Sequence, residues 1–238
     1  MRIALIGYGK MGKAIEEVAL QRGHQIILKI DQPNLNDLTK ENLTKADAAV
    51  EFTSPQTAYN NIKSCIEFGV PVVCGSTGWT EQLEELKKHC AKKDGAFIYS
   101  SNYSVGVNIF FEINKRLAAF MEPHKEYEVI LEETHHTEKK DAPSGTAITL
   151  AEQILQQLKR KKQWVNEISD NPQDLEIISQ RIDPAPGTHS IKYSSIIDDI
   201  EIIHTAHNRK GFATGAVLAA EFLKDKKGFF SMKDVLNL

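Results

Sequence analysis

The six residues Gly7-Tyr8-Gly9-Lys10-Met11-Gly12 follow directly on the apolar run Arg2–Ile6 and open a helical pattern that continues to about Arg22. A G-x-G-x-x-G between strand and helix leaves few folds open. The first glycine permits the tight turn, the second lets a pyrophosphate approach the backbone, and the third lets the helix pack on the strand. A second strand, Gln25–Ile30, ends in Asp31, an acid about twenty residues on that can hydrogen-bond an adenosine ribose. Gly7, Tyr8, Gly9, Lys10, Met11, Gly12 and Asp31 are therefore expected to hold a dinucleotide. A P-loop is excluded because no Lys-Ser or Lys-Thr follows the glycines. The Asp31 carboxylate repels a ribose 2′-phosphate and favours NADH, whereas Lys10 and Lys13 keep NADPH possible.

The pattern then repeats. Ala46–Phe52 reads as a strand, followed by a helix to about Phe68; Val70–Cys74 is a buried strand that turns through Gly75-Ser76-Thr77-Gly78 into a helix over Thr80–Lys92. Ala96–Tyr99 is a further strand, ending at Ser100-Ser101-Asn102-Tyr103. Between them, Asn34–Thr44 is polar and reads as a surface connection. Repeated βα units predict a parallel, doubly wound, Rossmann-like sheet with ligands at its strand ends.

After Asn102 the alternation stops, which predicts a second domain. A helix is expected over Gly106–Met121, a strand over Glu126–Thr134 and a helix from Ala147 to Lys161. The Lys159–Lys162 patch would form its solvated end, where cations suit the helix dipole. Alternating segments at Leu175–Arg181, His189–Ile197 and Ile200–Ala206, with a hairpin at Asp198-Asp199, complete an α+β domain with an open mixed sheet. The helix from Phe212 returns to the first domain. Residues 1–103, completed by 212–238, are thus the dinucleotide-binding domain, and 104–211 the second.

At 238 residues, 41% hydrophobic and with a net charge of −3, the chain offers no basic field for nucleic acid. No run approaches a membrane span and no signal-peptide pattern opens the chain. Cys65, Cys74 and Cys90 lack metal-type spacing and suggest free thiols in a reducing cytoplasm.

The chemistry concentrates in Glu133-Thr-His135-His136-Thr-Glu-Lys139-Lys-Asp141-Ala-Pro-Ser144-Gly145-Thr146-Ala147. Ser144 and Thr146 can cap the following helix, and Gly145 lets a ligand reach unpaired amides, which makes a carboxylate or phosphate seat. Lys139 adds a cation, and His135 or His136 can donate a proton near neutral pH. Adjacent histidines on an extended backbone point opposite ways, so no metal is expected.

This stretch resembles the signature of the dihydrodipicolinate reductases of lysine and diaminopimelate biosynthesis. Phe52-Thr53-x-Pro55, Gly75-Ser76-Thr77-Gly78 and Asn102-Tyr103-Ser104-Val105-Gly106-Val107-Asn108 are also similar to family motifs. So are Arg181, Gly187 and His189, the run His204-x-Ala206-x-x-Arg209-x-x-Phe212-Ala213-x-Gly215-Ala216, and the closing segment Phe230–Leu236. The resemblance implies NAD(P)H-dependent reduction of a cyclic imine dicarboxylate. His135 would be the proton donor and Lys139 its catalytic partner, with His136, Ser144, Gly145 and Thr146 on the substrate. Gly75, Ser76, Thr77, Ser100, Ser101, Asn102 and Tyr103 would line the nicotinamide half of the cofactor. It further implies a homotetramer built through the open sheet, so that 104–211 is a substrate-binding and oligomerisation domain. Three positions depart from the family pattern: Gln32 replaces a basic residue after Asp31, Ser76 a threonine, and Asp183 a glycine. Structural readings of Arg181 and His189 stand beside binding ones. An amino-acid dehydrogenase, such as an aspartate dehydrogenase, shares the glycine turn but does not need the His-His and Ser-Gly-Thr pairing. A non-catalytic NAD(H) sensor would carry an output element, and none is evident.

Overall fold

The computed structural model describes residues 1–208 and 210–238, in two compact units: Met1–Val105 with Lys210–Leu238, and Gly106–Arg209. Arg209, which falls in one of the family-like motifs, lies outside the described residues.

In the first unit the strands are β1 (Arg2–Ile6), β2 (Gln25–Ile30), β3 (Ala48–Glu51), β4 (Val72–Cys74), β5 (Ala96–Tyr99) and β11 (Gly228–Phe230). They form one sheet in the order β11-β5-β4-β3-β1-β2, parallel throughout. Alternation sends Ile3 and Leu5 to one face and Ala4 and Ile6 to the other, so both faces need cover. Helices α1 (Lys10–Gln21), α7 (Lys210–Leu223) and α8 (Met232–Leu236) cover the first face. Helices α3 (Pro55–Glu67) and α4 (Leu83–Lys92) cover the second. This is the expected doubly wound architecture. The connection read from Asn34 to Thr44 is more ordered than its polarity suggested. Asp31 caps a 3-10 turn over Gln32–Asp37, and Thr39 caps the short α2 (Lys40–Leu43). The edge strand β11 was not anticipated, because Gly-Phe-Phe is too short to show a period.

The second unit holds α5 (Val105–Met121, whose first residue belongs to the first unit), β6 (Glu128–His135), α6 (Gly145–Gln157), β7 (Gln163–Val165), β8 (Asp174–Arg181), β9 (Thr188–Ser194) and β10 (Asp199–Thr205). Its sheet runs β10-β9-β6-β8-β7, with β6 parallel to β8 and antiparallel to β9, which is the expected mixed sheet. The hairpin turn spans 195–198 and is tied by Ser195, leaving Asp199 in β10. One face of the sheet packs Val129, Leu131, Ile177, Ile191 and Tyr193 against Leu150, Ala151 and Ile154 of α6.

Two expectations for this unit fail together. Helix α6 ends at Gln157 rather than Lys161, so the patch lies beyond the helix, and although Lys159 and Lys162 are exposed, Lys161 is not. Lys161 is 6% exposed, and its ammonium donates to Glu128 Oε2 at 3.0 Å and to the carbonyls of Pro172 and Asp174 at 2.9 Å each. Three acceptors from elsewhere in the chain outweigh helix propensity at a position where the helix would otherwise fray. The freed residues then extend into β7, beside β8.

Candidate active site

In the first unit the three glycines of the fingerprint have three different environments. A Cβ on Gly7, whose φ is +93°, would stand 2.1 Å from the Phe52 carbonyl oxygen, and one on Gly12 would stand 2.3 Å from the Gly7 oxygen. Gly9 has nothing within 4 Å. The outer two glycines therefore serve chain packing, and the middle one faces open space. Gly9 also caps α1 without a side-chain hydrogen bond, so the first amides of this helix are left for an anion. Beside it, Gly9–Met11, Phe52–Pro55 and Gly75–Thr77 line a cleft of about 400 Å³.

Asp31 stands at the end of β2, where its carboxylate accepts from the Gln32 amide at 2.9 Å. Tyr8 is engaged by its neighbours: its hydroxyl donates to Glu16 and accepts from Lys29 at 3.2 Å, while Lys29 pairs with Glu16 at 2.6 Å. Ser100 donates to the Asn102 carbonyl at 2.7 Å, and the Asn102 side chain accepts from the Ser104 amide at 2.9 Å. Ser101 is exposed. The Tyr103 side chain is committed to the core, 2% exposed, with its hydroxyl donating to the Cys74 carbonyl at 2.7 Å. Any ligand contact at Tyr103 would therefore come from its backbone. All three cysteines are free and buried, and burial pushes the Cys65 thiol up to about 12.

In the second unit the chemistry grows out of strand β6. Its inward-facing residues are Val129, Leu131, Glu133 and His135, so the buried face changes from apolar to ionisable along one strand. The side chain of Glu133 is 0% exposed. Both of its oxygens accept from the Ser144 amide at 3.1 Å, and Oε1 also accepts from Ser179 Oγ at 2.8 Å and Arg181 Nη2 at 3.3 Å. His189 Nε2 stands 3.7 Å from Oε2. Burial alone would raise the Glu133 carboxyl, but His189, Ser144, Ser179 and the charge of His135 together hold it well below the usual range.

His135 is 7% exposed. Its Nδ1 lies 3.4 Å from Glu133 Oε2, too poorly aligned for a hydrogen bond, and its ring meets His189 edge-on at 5.1 Å. Burial lowers its pKa to about 4, with His189, Lys139 and Arg181 acting in the same direction and Glu133 opposing. Glu133, His135 and His189 bring ligand-type atoms within 4.8 Å of one another. A cation there would compete with the Ser144 amide for both carboxylate oxygens and with Ser179 and Arg181 for Oε1.

The loop that follows is pinned from outside. Arg181 donates to the Asp141 carbonyl at 2.6 Å and to the Lys139 carbonyl at 3.3 Å. Lys139 pairs with Asp141 at 2.8 Å. Asp183, at the position of the departure from the family pattern, accepts from the Thr137 amide at 3.1 Å and hydroxyl at 2.6 Å. His136, the first residue beyond β6, is half-buried. Ser144 caps α6 by accepting from the Ala147 amide at 3.2 Å, and its hydroxyl lies 3.2 Å from His189 Nε2. Gly145, the first residue of α6, has nothing within 4 Å of where a Cβ would be.

Two family models together match nearly the whole chain: "Dihydrodipicolinate reductase, N-terminus" over residues 1–103 and "Dihydrodipicolinate reductase, C-terminus" over residues 106–236. The chain belongs to the dihydrodipicolinate reductase family. It is 48% identical to the 4-hydroxy-tetrahydrodipicolinate reductase of Christiangramia forsetii, over 100% of this chain and 98% of that protein. It is 34% identical to the enzyme of the same name from Alkaliphilus oremlandii, over 97% and 95%. In fold it is similar to a dipicolinate-bound dihydrodipicolinate reductase from Paenisporosarcina sp. TG-14, with a TM-score of 0.81 at 22% identity and 97% coverage of both chains. The first unit is accordingly a nicotinamide dinucleotide-binding fold of the reductase kind.

Of the candidate residues in this reductase's second unit, the structure brings His135 and Ser144 together around Glu133. Arg181 and His189, for which the sequence left a structural reading open, join the same cluster. Sequence reasoning gave Glu133 no role. Its one signal was an acid at an inward-facing position of a strand, where an apolar residue is expected.

Gly145→Ala separates fold from function here. The new methyl meets nothing in the protein, and alanine suits a helix better than glycine by about 0.5–1 kcal/mol. The melting temperature is expected to hold or rise slightly while dipicolinate affinity falls at least roughly tenfold, a change of about 1.4 kcal/mol. Calorimetric titration alongside thermal unfolding checks both; undiminished affinity would remove Gly145 from the seat.

Proposed function

We propose that this chain is a 4-hydroxy-tetrahydrodipicolinate reductase of the lysine and diaminopimelate pathway, reducing a cyclic imine dicarboxylate with NADH or NADPH. The observation that carries this reading within the molecule is the inward end of β6. There Glu133 and His135 stand beside a helix N-terminus whose Gly145 faces open space. The cofactor supplies the hydride. His135 supplies the proton that completes addition across the C=C–C=N system, and Lys139 supports it with positive charge. His136, Ser144, Gly145 and Thr146 seat the substrate carboxylates; Ser144 does so through helix capping rather than through a free hydroxyl.

The low pKa of His135 adds a condition. Near neutral pH the imidazole is uncharged even with the Glu133 carboxylate beside it, so it needs a further anion before it can hold a proton. The dianionic substrate supplies that charge, and the acid is armed when the substrate binds.

Gly7 to Gly12, Asp31, Gly75 to Thr77 and Ser100 to Tyr103 form the cofactor seat, with NADH preferred because Asp31 faces the ribose without a basic residue after it. The working form is a cytoplasmic homotetramer. Supporting this, the sheet face opposite the core carries Ile130 and Ile178 half-buried and Ile203 at 58% exposure, an apolar set that an assembly would cover. Light scattering in solution checks the subunit count.

The direct test generates the substrate in situ from pyruvate and aspartate semialdehyde with its synthase and follows NADH and NADPH oxidation in parallel. Oxidation that depends on the synthase is expected, with kcat/KM higher for NADH by roughly an order of magnitude, the effect of about 1.4 kcal/mol of like-charge repulsion. No oxidation with either cofactor, from folded protein that binds NADH, would overturn the reading.

A further inference from the structure

Glu51, the last residue of β3, is fully buried at 0% exposure. Among the described residues, the partners that hydrogen-bond its carboxylate are all neutral. Oε1 accepts from the Thr53 amide at 3.0 Å, the Ser76 hydroxyl at 3.1 Å and the Thr53 hydroxyl, and Oε2 accepts from the Cys74 thiol at 3.0 Å. Buried carboxylates are as a rule paired with a cation or left protonated. Four donor groups facing its two oxygens suit an ionised carboxylate, with the Thr53 amide shared between Glu51 Oε1 and Ser76 Oγ, to which it donates at 2.8 Å. Burial and this negative charge together push the Cys74 thiol well above its usual range.

The charge lies where the cofactor reading needs attention. Thr53 and Ser76, which donate to Glu51, line the cleft of about 400 Å³ with Gly9, Lys10, Gly75 and Thr77. By the cofactor reading above, on which this inference rests, that cleft takes the nicotinamide half. When hydride leaves, the neutral dihydronicotinamide ring becomes a cation; the electron pair goes to the imine substrate and the positive charge stays on the ring.

We propose that Glu51 is an electrostatic positioning residue: its buried negative charge behind Thr53 and Ser76 stabilises the cationic nicotinamide ring over the neutral one and so makes bound NADH a stronger hydride donor. The competing account is a neutral brace that ties the β3 turn to the β4 turn. A brace would hold both redox forms of the cofactor equally, whereas a charge distinguishes them.

The test is calorimetric titration of the full-length protein with NADH, with NAD⁺ and with ADP-ribose, which lacks the nicotinamide. In Glu51→Gln the ratio Kd(NAD⁺)/Kd(NADH) is expected to rise at least about tenfold, the effect of unit charges no more than about 12 Å apart at an effective dielectric of about 20. ADP-ribose binding is expected to stay constant, and Glu51→Asp to keep the wild-type ratio. Equal weakening of NADH and NAD⁺, or an unchanged ratio, would overturn the proposal in favour of the brace. Should Glu51→Gln not fold, Cys74→Ala decides: it takes one donor from Glu51 Oε2 outside the residues of the cofactor seat and is expected to lower the ratio, and any other result counts against the charge. Failure of the wild type to bind either dinucleotide would overturn the cofactor seat and this proposal with it.

Discussion

Alanine at position 135 is expected to lower kcat by about 10²- to 10⁴-fold, the range for loss of a positioned proton donor, while leaving NADH affinity unchanged. The expectation rests on placement. His135 is the last inward-facing residue of β6 and is 7% exposed, and Glu133 of the same face accepts from the Ser144 amide before α6. Its surroundings also fix the pH behaviour. With the pKa of the free site at about 4, the protonated fraction of His135 falls as pH rises through the neutral range. kcat/KM, which reports the free enzyme, should therefore decline with rising pH, while kcat holds to higher pH because bound dianion keeps the imidazole protonated. His135→Ala should lose this difference between the two profiles. Dipicolinate binding to the wild type should take up a proton, measurable as a dependence of binding heat on buffer. Turnover within twofold of wild type in His135→Ala would remove it from the chemistry, and binding without proton uptake would overturn the protonation of His135 by the bound dianion.

Glu133→Ala is expected to destabilise the protein by about 3–5 kcal/mol, the cost of breaking a buried ion pair from one side. The Glu133 side chain is 0% exposed, and its loss leaves the Ser144 amide, the Ser179 hydroxyl and one Arg181 nitrogen without this acceptor. Glu133→Gln keeps the shape but turns an amide N–H toward donors, so it is expected to recover only part of the loss. Urea unfolding of the variants measures the effect, and a change below about 1 kcal/mol would show the cluster to be held by packing alone. The same groups set the acid limit of the fold. His135 has a depressed pKa: the unfolded chain takes its proton near 6.5, whereas the folded site resists until about 4, so stability falls as pH drops through that window. Glu133, also depressed, contributes stability that is fully present above 4.5 and is lost as pH falls below it. Both effects have the same sign, and stability should decline from about pH 6.5 downward. A flat profile between pH 6.5 and 4 would contradict the burial of His135.

Much of the molecule was legible because local periodicity and turn chemistry agreed with the fold. Strand, glycine turn and helix at Arg2–Gln21 follow from backbone sterics: Gly7 must adopt a positive φ and Gly12 must admit the Gly7 carbonyl, and no other residue does either without a clash. The repeated βα units made a parallel sheet predictable for the same reason. The Ser144 cap followed from composition, since a hydroxyl before a helical run accepts the orphan amides.

What the sequence could not determine depends on partners distant along the chain. Lys161 reads as a solvated helix end and is buried, because its three acceptors come from Glu128, Pro172 and Asp174. Glu51 reads as a residue of an apolar strand, and Glu133 opens the family-like stretch without a role of its own. The fold alone surrounds the first with donors from Thr53, Cys74 and Ser76, and the second with Ser144, Ser179, Arg181 and His189. Residue type and spacing thus determined the turns, the parallel doubly wound character of one sheet and the mixed character of the other. The ionisation of the groups in both seats was decided by tertiary structure, because desolvation and charge act through space and not along the chain.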